Sequence, residues 1–178
     1  MRRHTVLIIT LVFVFGCKDS SFEESSINIG THSLRCISSP KEGPVVIFDA
    51  GLTETFDTWI PIMNKLASQA AVFAYNRGGY EGSDIGTLPR DSGREAAELF
   101  DLLRAANIKP PYILVGHSLG GLNMQVFAAE YKEKVKGIVL LDPPPLNWLL
   151  GNSFQELKKM AVSQSEQFKI MAEDAHAK

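Results

Sequence analysis

Ser118 stands in Gly116-His117-Ser118-Leu119-Gly120-Gly121, where the apolar run Tyr112-Ile113-Leu114-Val115 gives way to a helical pattern. A serine in G-x-S-x-G at a sharp strand-to-helix turn is forced into a sparsely populated backbone conformation. The residues two before and two after it must be small, because larger side chains there would collide. Gly116 and Gly120 meet that demand. The turn lifts the hydroxyl clear of the sheet, which makes Ser118 a candidate nucleophile. A neutral hydroxyl also needs a base, usually histidine, within hydrogen-bond reach. In hydrolytic sites of this shape the order is serine, acid, histidine. The only histidine after Ser118 is His176, two residues from the end.

The 178 residues amount to one domain, and a formal net charge of −2 with no long basic run argues against a nucleic-acid partner. Residues 1–16 read as an export signal: a basic Met1-Arg2-Arg3-His4, then an apolar stretch from Thr5 to Gly16, too short to span a bilayer comfortably. It ends at Val14-Phe15-Gly16-Cys17, which resembles the lipobox of bacterial lipoproteins; that resemblance implies acylation of Cys17 and a place in the cell envelope. A plain signal peptide or an uncleaved anchor are the alternatives. Residues 17–26 read as a polar tether. With only Cys17 and Cys36, no disulfide framework or Cys/His zinc spacing is expected, and Cys36 reads as a buried small hydrophobe.

Ile27 to Ser38 alternates as a strand or hairpin, bending near Gly30-Thr31-His32. Val45–Phe48, Ala71–Tyr75, Tyr112–Val115 and Val135–Leu141 are short apolar runs of the kind that form buried parallel strands. Helices are expected over Phe56–Ala70 (Trp59, Ile62, Met63 and Leu66 on one face), Ser92–Ala106 (stripe Ala96, Leu99, Phe100, Leu103) and Leu122–Tyr131. This alternation predicts an α/β fold with a mostly parallel sheet. Ligands of such sheets bind at the carboxyl ends of the strands, where Gly51-Leu52, the Arg77 loop, Ser118 and Asp142 all fall. From Leu146 onward the chain reads as amphipathic helix.

Four segments in order carry a family resemblance: Phe48-Asp49-Ala50-Gly51-Leu52 with Trp59; Asn76-Arg77-Gly78-Gly79-Tyr80-Glu81-Gly82-Ser83-Asp84, with Asn76 where aspartate is usual; Pro111 to Gly121; and Val139-Leu140-Leu141-Asp142-Pro143. Over residues 27–145 the chain resembles the α/β-hydrolase superfamily, most of all its small serine esterases. The resemblance implies Ser118 as nucleophile, the backbone N–H groups of Leu119 and Leu52 as oxyanion donors, a small acyl or ester substrate and no cofactor or metal. Dehalogenase and epoxide-hydrolase relatives differ in carrying aspartate at the serine's position. Asp142 is a candidate acid, although few members place it there and Asp-Pro also serves as a turn cap. His117 is expected to pack rather than act as base, because strand neighbours point to opposite faces. His32 is expected to be a surface histidine, and Arg77 to bond loop carbonyls.

Members of this superfamily usually continue for roughly another hundred residues, within the size of one α/β domain. Residues 146–178 would then be a partial cap, and the last strands and helices would be lacking. A truncated or fragmentary hydrolase, impaired as it stands and prone to aggregate along its uncovered edge, is the expectation. A non-catalytic ligand-binding envelope lipoprotein on the same scaffold is the alternative.

Overall fold

The computed structural model describes residues 22–144. The export signal, Cys17 and the cap with His176 lie outside them. Among the described residues, β1 (Glu23–Asn28), β2 (Ser33–Ser38), β3 (Val45–Asp49), β4 (Ala71–Tyr75), β5 (Tyr112–His117) and β6 (Val135–Leu141) form one sheet in the order β1-β2-β4-β3-β5-β6. β4, β3, β5 and β6 run parallel, whereas β1 and β2 are antiparallel additions on the β4 side.

The inner strands β3, β4 and β5 are almost wholly apolar because both of their faces are covered. Ile47, Phe73, Tyr75 and Leu114 pack beneath α2 (Ser92–Ala105) and α3 (Leu119–Glu130), against Ala96, Leu99, Leu103, Met124 and Phe127. Val46, Phe48, Val72 and Ala74 face the other way, onto Phe56, Trp59 and Met63. That helix pair and α1 (Ile60–Leu66) take opposite faces for a topological reason. The path from β3 through α1 to β4 moves one way across the sheet, and the path through α2 to β5 moves back past β3. Right-handed crossovers in opposite directions place their helices on opposite sides. Asp91 caps α2 by accepting the Arg94 backbone N–H at 2.9 Å.

Several expectations change. β1 starts at Glu23, so the last part of the segment read as tether is strand, paired with Ser38 and its neighbours. The helix expected over 56–70 is a 3₁₀ turn (Phe56–Trp59) followed by the short α1, and Ile62 on it is exposed rather than packed. α3 begins at Leu119, where the helical pattern after Ser118 sets in, rather than at Leu122, because the turn at Ser118 leads straight into it. β6 is not buried: Ile138, Val139 and Leu141 are 39%, 50% and 38% exposed. It is the outermost strand of the sheet among the described residues, so its alternation brings no second covered face. Cys36 is buried in the core, as expected, and burial pushes its thiol up.

Candidate active site

Ser118 closes β5 with φ 48° and ψ −117°, a conformation that costs a non-glycine residue about 1–3 kcal/mol. The surroundings impose it. A Cβ on Gly116 would lie 2.6 Å from the Gly120 carbonyl, and one on Gly120 would overlap the carbonyls of Asp49 and Ala50. The first turn of α3 therefore sits directly against the end of β3, and the loop after β3 is brought beside Ser118. Ser118 is half-buried; its backbone N–H donates to the Leu141 carbonyl oxygen at 2.9 Å, while its hydroxyl has no hydrogen-bond partner among the described residues.

Leu119, one of the two expected amide donors, directly follows Ser118, and Leu52, the other, lies in the loop after β3. Leu119 is the first residue of α3, where no intrahelical acceptor exists for its N–H. Neither its N–H nor that of Leu52 finds an acceptor among the described residues. Asp142 follows β6 immediately, exposed and with φ 46°. Among the described residues it has no ion-pair or hydrogen-bond partner, so the structure brings it to the serine's end of the sheet without joining it to a histidine.

Beneath the loop after β3 lies a buried polar cluster. Arg77 donates from Nη1 to Asp49 Oδ1 at 2.5 Å and to the Ala50 carbonyl at 2.6 Å, and from Nη2 to the Gly51 carbonyl at 2.6 Å. The expectation that it bonds loop carbonyls holds. Burial opposes its charge, but Asp49 together with Tyr80 and Tyr75 outweighs that and holds the guanidinium above its ordinary range. Asn123 on α3 donates to the other Asp49 oxygen at 3.0 Å. The Tyr75 hydroxyl is buried nearby, and burial together with the Asp49 charge raises it well above the usual phenol value. Tyr80 stacks under Arg77, 4.4 Å from ring centroid to guanidinium, and its hydroxyl accepts the Thr53 N–H at 3.3 Å.

Asn76 explains its own departure from the family pattern. Its side-chain oxygen accepts the Phe56 N–H at 2.8 Å, and its NH₂ donates to the Glu81 carbonyl at 2.7 Å. A carboxylate could satisfy the first of these and not the second.

His117 is half-exposed, with Nδ1 3.0 Å from Glu54 Oε2. His32 is buried rather than on the surface: Nδ1 lies 2.9 Å from Thr31 Oγ1, and Nε2 lies 3.7 Å from Glu98 Oε2. Sequence reasoning missed Asp49, Asn123 and Glu54. A carboxylate ending a wholly apolar strand was the available signal for Asp49, since a buried charge requires a partner. Among the described residues, no three His, Cys, Asp or Glu side chains could hold a metal ion.

A mostly parallel sheet covered on both faces, with a strained serine between strand and helix, defines an α/β protein built on the hydrolase plan. The family profile described as alpha/beta hydrolase fold matches residues 44–167, and the chain belongs to that family. An uncharacterized protein of Bacillus subtilis, YqjL, is 34% identical over 137 residues, covering 76% of this chain and 52% of that one. The 2-(acetamidomethylene)succinate hydrolase of Mesorhizobium japonicum is 28% identical over 124 residues, covering 70% and 44%. A solved structure of E-2-(acetamidomethylene)succinate hydrolase superposes with a TM-score of 0.65 at 28% identity, over 71% of this chain and 46% of that one. Naproxen esterase of Bacillus subtilis shares the fold, with a TM-score of 0.64 at 23% identity over 70% and 44%. The chain thus spans about half the length of these relatives.

Proposed function

We propose that the chain carries the nucleophile and oxyanion site of a serine hydrolase acting on carboxylic esters or related acyl compounds. Ser118 Oγ attacks the acyl carbon while a histidine outside the described residues takes its proton. The negative oxygen that develops is held by the N–H groups of Leu119 and Leu52. Collapse expels the leaving group, which takes the proton back from the histidine, and leaves an acyl-enzyme that water hydrolyses. Asp142, at the serine's end of the sheet, is the candidate acid to orient that histidine. No cofactor enters these steps. The backbone of Ser118 is the observation that carries the reading, since a strained serine at this turn serves little purpose in a protein that only packs or binds. The similarity to a hydrolase of an acetamido compound supports an acyl substrate. Lipid on Cys17 attaches the chain to the cell envelope, a reading supported by the Val14-Phe15-Gly16-Cys17 segment.

A fluorophosphonate probe tests this on the 178-residue protein. Slow labelling confined to Ser118, accelerated by added imidazole and abolished in Ser118→Ala, is expected. Labelling that survives Ser118→Ala, or its absence even with imidazole, overturns the reading in favour of a non-catalytic binding protein.

A further inference from the structure

Residues 51–54 close a tight turn in which Glu54 acts twice. Its backbone N–H donates to the Gly51 carbonyl at 3.3 Å, and its side-chain Oε2 accepts the Gly51 N–H at 2.8 Å. The same Oε2 meets His117 Nδ1 at 3.0 Å, one residue before Ser118. Gly51 is the residue that lets this bridge close, because a Cβ there would lie 2.7 Å from Glu54 Oε2 and 3.0 Å from His117 Nδ1. Thr53 takes φ 66° to complete the turn.

A trans peptide is planar, so the Leu52 N–H points opposite to the Gly51 carbonyl. That carbonyl is held inward by Arg77 Nη2 at 2.6 Å and by the Glu54 amide. The Leu52 N–H is therefore turned outward, away from the buried cluster. The Glu54 carboxylate fixes the other side of Gly51 and ties the turn to the end of β5.

We propose that Glu54 is a positioning residue: through the Gly51 N–H and His117 it sets the plane of the Gly51–Leu52 peptide, and so the aim of the Leu52 amide beside Ser118. This rests on the reading of Leu52 as an oxyanion donor. The titratable and charged groups facing Glu54 are His117 from β5 and Arg77 from the loop after β4. Burial works against its charge, but the hydrogen bonds from His117 and Gly51 outweigh that and hold the carboxyl below its ordinary value. It is thus an ionised acceptor at neutral pH.

The experiment compares wild type, Glu54→Ala and Glu54→Gln in the full chain by two readouts. Amide exchange of Gly51 and the amide chemical shift of Leu52 report the loop whether or not the protein is a catalyst. The limiting rate constant and half-saturating concentration for fluorophosphonate labelling report the site. In Glu54→Ala the Gly51 amide should exchange at least about tenfold faster and the Leu52 shift should move. The limiting labelling rate should fall about 10²-fold at unchanged half-saturation, the scale of losing one oxyanion donor. Glu54→Gln, whose amide oxygen still accepts from Gly51, should recover most of both. Unchanged exchange and shift in Glu54→Ala overturn the bridge, and changed exchange with unchanged labelling reduces Glu54 to a turn staple. A wild type that fails to label overturns the reading of Ser118 and Leu52 instead, leaving the bridge itself to be decided by the exchange and shift data.

Discussion

The backbone N–H of Ser118 donates to the carbonyl oxygen of Leu141 at 2.9 Å. Asp142, the next residue, therefore leaves the sheet at the level of the serine. Its φ of 46° is one that asparagine accepts as readily as aspartate. Asp142→Asn should thus keep the backbone and the melting temperature while removing the charge. In a form of the protein whose histidine is in place, labelling of Ser118 should slow by a factor on the order of 10²–10⁴, as when a triad acid is neutralised. Labelling at the wild-type rate would remove Asp142 from the site.

Two glycines offer a matched contrast. Gly120→Ala would drive a methyl into the Asp49 and Ala50 carbonyls, backbone that cannot swing aside. A loss of about 2–3 kcal/mol is expected in urea unfolding, in the upper range for overpacking. Gly137→Ala on β6 meets nothing within 4 Å. It should be neutral or stabilise by up to about 1 kcal/mol, because glycine in a strand loses more chain entropy on folding.

Asp49 is wholly buried and is the charge partner of Arg77. Asp49→Ala leaves a buried guanidinium without its counter-ion and Asn123 without its acceptor. Removing one member of such a pair costs about 3–5 kcal/mol. Urea denaturation should show that loss. The loop after β3 should also lose amide protection, because Arg77 holds the Ala50 and Gly51 carbonyls.

Glu95 on α2 is pushed up from 4.5 to about 7, chiefly by burial, with Arg90 and Arg77 opposing the shift and Asp49 and Glu98 adding to it. Between those two values the folded protein keeps a proton that the unfolded chain has released. Stability contributed by this group is therefore greatest below about pH 4.5 and falls as pH rises to about 7. Glu95→Gln removes that slope. Relative to wild type, the variant should gain about 3 kcal/mol between pH 4.5 and pH 8, measured by chemical denaturation across that range.

The elements that could be read from the sequence are those whose pattern is local. β3, β4 and β5 are uninterrupted apolar runs, the Ala96-Leu99-Leu103 stripe repeats at helical spacing, and Gly116 and Gly120 bracket Ser118. The cluster under the site follows no local pattern. Arg77 and Asn123 lie 28 and 74 residues from Asp49 along the chain, and the three meet only because β3 is central and α3 crosses it. Glu54 is an ordinary carboxylate in a turn until the end of β5 is placed beside it. β6 was misjudged because its composition matches that of the covered strands, while exposure depends on what lies alongside. His32 was misjudged for the converse reason: a polar residue at a bend lies under α2, against Glu98.

The order β4-β3-β5 has a further result. The chain leaves β3 toward one side of the sheet and leaves β5 toward the other, so the two connections part above the strand tips like an opened seam. Leu52 stands on one lip and Leu119 on the other, and each offers main chain rather than side chain. Alanine scanning would pass over both, and replacing either amide by an ester linkage is the substitution that would expose them.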